Sequence, residues 1–167
     1  MFSLALLLTM FAAGCGGGTK DSGTTRVPTD HTGSLSSKAA YIELADTICS
    51  NHRSRREDLE SEAINLGPLT SRAKAYQIAA LLRKEGANRR AEVGELRSLQ
   101  PPAADVTTVD SILSLVDGEA GVIDRWAMAY DNLDAAEIRR QQIRLGLTAG
   151  RAADRAGAYG FAVCGQQ

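Results

Sequence analysis

Reactive side chains are scarce in this chain of 167 residues: two histidines, three cysteines, and no cluster of either. His31 stands in a stretch rich in Gly and Thr, where it is incidental, so His52 is the one imidazole placed to serve a site. A metal centre of several imidazoles is thereby excluded. Gly16-Gly17-Gly18 is not a phosphate loop, because no strand precedes it and no helix follows. Carboxylates remain, and Asp105, Asp110, Asp117, Glu119 and Asp124 share one segment. Their spacings scatter around a helix and lack a calcium loop, so they read as a solvated acidic face. No nucleophile and base stand together either, so no enzyme, metal or cofactor is expected.

One region is less bland. Continued at heptad spacing from Ile48, the apolar seam of the first helical segment meets His52 and Arg55 before it resumes at Leu59. The seam of the second segment likewise passes Glu85 or Gly86 and then Arg89. The result is a polar middle between apolar ends. One reading is a cavity in which His52, Arg55, Arg89 and acids of the third segment contact an anionic or haem-like ligand, with His52, a tyrosine or Met128 as axial candidates. The other is that these long side chains reach outward or pair across the bundle and set its register.

The elements that must position these residues are helices. Apolar residues recur at three and four from Ser36 to Leu66, with Gly67-Pro68 as the stop, and from about Thr70 to Leu99, with Pro101-Pro102 as the stop. A third helix starts near Asp105 to Thr107 and ends around Asn132. Asp134 then caps a fourth, with Glu137 placed for a capping box and Gly160 at its C-terminus. Gly86, Gly94 and Gly118 weaken these helices and mark close approaches or bends. Trp126 and Tyr130, one turn apart, are expected in the core against Tyr41, Tyr159 or Phe161. The four segments carry net charges of −2, +4, −5 and +2 in order. Alternating signs favour an antiparallel up-down-up-down four-helix bundle, in which like-charged helices face each other across the diagonal.

Ahead of the helices, the run Phe2 to Ala13 has the length of an export signal and is too short to span a bilayer. Ala12-Ala13-Gly14-Cys15 resembles the lipobox of bacterial lipoproteins, which implies that residues 1–14 are a signal peptide and that Cys15 carries a diacylglycerol. Two or more acyl chains hold a protein at a membrane, each buried methylene contributing about 0.8 kcal/mol. Residues 15–34 then form the lipidated cysteine and a flexible linker rich in Gly, Thr and Ser, reaching about 25 Å as a random coil. Residues 35–167 form one helical domain.

With Cys15 taken by lipid, Cys49 and Cys164 are the remaining pair, and in an exported protein they read as a disulfide. The net charge of −1 argues against nucleic acid as a partner. The segments Tyr41 to Cys49 and Tyr159 to Gly165, with a Pro-Pro break comparable to Pro101-Pro102, resemble small exported, mostly lipidated helical proteins of high-GC bacteria. That resemblance implies the bundle and the bridge and transfers no active site. The expected protein is a lipoprotein on the extracytoplasmic face of the cell membrane, acting as a structural, interaction or accessory module of the envelope. The alternative is a ligand-binding bundle.

Overall fold

Local chemistry sets each helix end. Ser37 Oγ accepts from the amide of Ala40 to start α1 (Lys38–Leu66), and Ser71 Oγ accepts from that of Lys74 to start α2 (Arg72–Ser98). α3 (Val106–Asp131) has no side-chain cap, because the carboxylate of Asp105 instead accepts from the Tyr159 hydroxyl at 2.9 Å. Asp134 caps α4 (Ala135–Tyr159) by accepting from the amides of Ala136 and Glu137. The expected capping box is half formed. Glu137 turns to Arg140 and Gln141, and the Asp134 amide donates to the Ala129 carbonyl. Gly160 ends α4 at φ 112, a conformation that suits a residue without Cβ.

This computed structural model describes residues 37–164. The signal peptide over 1–14, the lipidation of Cys15 and the linker to residue 34 fall outside the described residues.

The helices pack in chain order as an all-α four-helix bundle, α1 on α2, α2 on α3 and α3 on α4. A ladder of ion pairs fixes the register of the middle two. Arg83, Arg90 and Arg97 climb α2 in steps of seven and meet Asp131, Asp124 and Asp117 descending α3 in steps of seven, so the helices run antiparallel. Each exposed pair contributes little alone, but only one register satisfies all three. Gly86 lets the pair come close: a Cβ there would lie 2.8 Å from Asp124 Oδ1. Gly94 and Gly118 meet nothing within 4 Å and mark no such approach.

The fourth side of the bundle is wide. No Cα of α1 lies within 8 Å of one in α4. At one end the gap is filled by three rings, Tyr41 lying 6.4 Å from Tyr159 and 6.1 Å from Phe161, and by the chain after Gly160, which folds back along α1. Cys164 there is bonded to Cys49, with Cα atoms 5.2 Å apart. Asp46 secures that tail, its carboxylate accepting from the backbone amides of Ala162, Val163 and Cys164 at 2.8 to 3.0 Å. Arg53 completes the clamp by donating to the Val163 carbonyl. Replacing Asp46 by Ala is expected to cost about 2 kcal/mol in urea denaturation, because three charge-assisted bonds are lost together.

Candidate functional site

At the other end the space between α1 and α4 stays open as a cleft of about 490 Å³ lined from all four helices. Its walls are apolar, with Leu59 and Ala63 from α1, Ile78, Leu81 and Leu82 from α2, Ile123, Trp126 and Tyr130 from α3, and Leu145 and Ala149 from α4. Its base is charged. There Arg56 of α1 faces Glu85 at 3.3 Å and Glu92 at 4.0 Å. Arg89 reaches Glu85 at 3.4 Å, Glu92 at 3.1 Å and Glu119 of α3 at 3.4 Å. Arg89, Glu92 and Glu119 are buried and Arg56 and Glu85 partly so, and the tier explains why the apolar seams break in mid-helix.

The polar middle therefore exists, with one residue changed. Arg55 is exposed, and Arg56 takes its place. From His52 the buried face of α1 advances by four residues, not three, because 3.6 residues per turn drifts from a strict heptad. Arg89 lies at the base as expected. His52 is fully buried but stands off the cleft, its Nδ1 bound to Asn88 Oδ1 at 2.8 Å and its Nε2 to Glu95 at 3.0 Å. With both ring nitrogens held by side chains of α2, it is not placed to ligate haem. Met128 is half exposed, away from the cleft lining. Trp126 and Tyr130 pair with each other at 6.2 Å in the cleft wall, apart from the ring cluster at the disulfide end. Among the described residues, no three His, Cys, Asp or Glu side chains gather in a metal-binding group.

Glu119 was hidden among acids read as a solvated face, yet it is fully buried. The signal was available: positions 109, 112, 116, 119, 123, 126 and 130 form a single stripe on α3, and Glu119 is its only charge. Its two oxygens accept no hydrogen bond; Oε2 has only the 3.4 Å contact with Arg89. Burial foremost, with Glu92 and Glu85 adding repulsion against the pull of Arg89 and Arg56, raises its carboxyl to about 7. Burial also raises Glu85 and lowers Arg56 from their ordinary values.

A stability profile follows. A carboxyl raised in the folded state binds its proton more tightly there than in the unfolded chain. Its contribution is present below the unfolded value near 4.5 and is lost as pH rises through about 7. The wild-type melting temperature should therefore fall across that window from this group, and Glu119→Gln should flatten the fall. An unchanged profile in the variant would contradict the assignment.

A second groove, of about 540 Å³, lies by Tyr159, but its polar groups already serve one another. Tyr159 donates to Asp105, Arg155 to Ser111, and the Lys38 ammonium sits 4.0 Å over the Tyr159 ring. In the cleft, by contrast, the buried oxygens of Glu119 lack hydrogen-bond donors. In comparisons with protein-family models, curated proteins and solved structures, the chain matches none, so the fold and this cleft carry the functional argument.

Proposed function

We propose that this protein is an exported, lipid-anchored lipoprotein whose helical bundle acts by binding a small amphipathic ligand at the extracytoplasmic face of the cell membrane. The observation that carries the binding role is the cleft of about 490 Å³, apolar on its walls and ionic at its base, left between α1 and α4. Binding pockets have this size and this division of surface, with a few convergent polar groups in a mostly apolar lining. A purely structural module would have no need for a buried carboxylate without a hydrogen-bond donor, which costs stability. Ligand binding is therefore favoured over a plain envelope scaffold, and the anionic or haem-like cargo gives way to an amphiphile.

Anchoring is supported by Ala12-Ala13-Gly14-Cys15 after an apolar run, and export by the Cys49–Cys164 bridge, since such bonds persist in oxidising compartments. No helix among the described residues is long and apolar enough to cross a membrane, so attachment in this reading falls to the lipid. Two experiments test the two halves. Metabolic labelling with palmitate should mark the wild-type chain and not Cys15→Ser; equal labelling of both removes the anchor. A native mass spectrum of the Cys15→Ser chain, made in an oxidising compartment, should carry extra mass that leaves on denaturation. A bare disulfide-bonded polypeptide would count against a carrier and return the protein to the scaffold reading.

A further inference from the structure

The cleft base holds an unbalanced set of charges. Arg56 and Arg89 face three carboxylates, Glu85, Glu92 and Glu119, and the one polar side chain that α4 brings to the lining is the uncharged Gln142. Glu60 of α1 adds a further negative group to the lining. With all groups ionised the base is one negative charge in excess. The guanidiniums are already committed to Glu85, Glu92 and Glu119 at 4.0 Å or less, so an incoming anion would find them occupied and would add to the excess.

The carboxylates are short of donors. Both oxygens of Glu119 and Oε2 of Glu85 are buried acceptors without a hydrogen-bond donor; Nε of Arg56 and of Arg89, also without a hydrogen bond, already stand 3.3 and 3.4 Å from Glu85 Oε1, and the Trp126 indole N–H in the wall lacks an acceptor. Buried acceptors in this state are satisfied by a group that brings N–H bonds and positive charge. Trp126 and Tyr130 line the same cleft, 6.2 Å apart, and aromatic rings attract cations at their faces. Leu59, Ile78, Leu82 and Leu145 add apolar side chains to the walls.

We infer that the cleft takes a primary ammonium carried on an apolar chain, its N–H bonds filling the acceptors of Glu119 and Glu85 and its chain lying along the apolar walls. The inference rests on the binding function proposed above and names the ligand class of that same site. It also has a consequence for protons. Burial raises Glu119 to about 7, with Arg56, Glu85, Arg89 and Glu92 facing it, so an ammonium that requires the ionised carboxylate displaces the proton from the protonated fraction.

The test uses the full chain carrying Cys15→Ser and four probes of equal chain length: decylammonium, decyltrimethylammonium, decanol and decanoate. Trp126 is the only tryptophan in the chain and lines the cleft, so its emission reports occupancy. Decylammonium should bind at least about tenfold more tightly than the other three. The trimethyl probe loses because it has charge but no N–H to donate. Glu119→Gln should bring decylammonium to the level of decanol. Titration calorimetry of the wild type at pH 7, in two buffers of different ionisation enthalpy, should register proton release with decylammonium and none with decanol. This readout needs no variant and decides the matter if Glu119→Gln fails to fold. Decanol or decanoate binding as tightly as decylammonium, or decylammonium binding without proton release, overturns the inference and leaves the binding function standing. Failure of all four probes to change Trp126 emission overturns both.

Discussion

Replacing Cys49 and Cys164 together by serine is expected to lower the melting temperature by on the order of 10 °C. The two residues are 115 apart in sequence, so the bond closes almost the whole helical domain into one loop of the unfolded chain. By chain entropy alone that loop is worth about 4 to 5 kcal/mol, less where the unfolded state is already compact. The loss should fall on global stability and spare the site. Asp46 and Phe161 still hold the tail in the folded variant, and the cleft lies at the opposite end of the bundle. Scanning calorimetry should register the shift while Trp126 emission at low temperature stays that of the wild type. A shift below about 2 °C would mean that the bridge constrains little in solution. A changed emission spectrum would mean that the two ends of the bundle are coupled.

Removal of Arg89 should cost still more relative to its size. Its guanidinium is buried and stands within 3.4 Å of Glu85, Glu92 and Glu119. Taking one partner from a buried ionic group leaves uncompensated charge, at a cost of about 3 to 5 kcal/mol. Arg89→Met keeps most of the apolar bulk, so the loss isolates the charge. Without the pull of Arg89, the carboxyls of Glu85 and Glu119, already raised by burial, are pushed further above their ordinary range in the folded state. Groups raised in this way stabilise below their unfolded values and lose that contribution as pH rises. The deficit of Arg89→Met in urea denaturation should therefore be largest near pH 8 and shrink toward pH 5.5. Adding Glu119→Gln should return part of the stability at pH 8, since one buried charge is then gone. A deficit that is independent of pH, or a double variant no better than the single one, would show that packing and not charge is the role of Arg89.

The helices were legible in the sequence because their ends are local chemistry. Gly67-Pro68, Pro101-Pro102, Asp134 and Gly160 stop or start a helix through φ, a missing N–H or a side-chain oxygen, whatever lies across the bundle. The same holds for the pairing of Cys49 with Cys164, where no other thiol remained in the helical domain. The alternating helix charges are legible as sums, whereas their pairing as a ladder from Arg97–Asp117 to Arg83–Asp131 needs the register of the two helices, although both sets repeat at seven.

The site was legible in outline and missed in detail. Broken apolar seams marked a polar middle at His52 and Arg89, since a charge on an apolar stripe is visible in one dimension. Heptad extrapolation then chose Arg55 over Arg56, a 100° rotation that a small drift in phase produces. Glu119 resembles its acidic neighbours in composition, and only the apolar stripe it interrupts marks it as buried. Only the tertiary structure decided that Asp46 clamps the tail through three amides of a segment 116 to 118 residues away. It alone decided that the space between α1 and α4 is filled by Tyr41, Tyr159 and Phe161 at one end and left open at the other. Sequence sets the caps, breakers and apolar stripes, which depend on near neighbours along the chain. The distance between the first and last helices depends on every side chain placed between them, and that sum exists only once the bundle has closed.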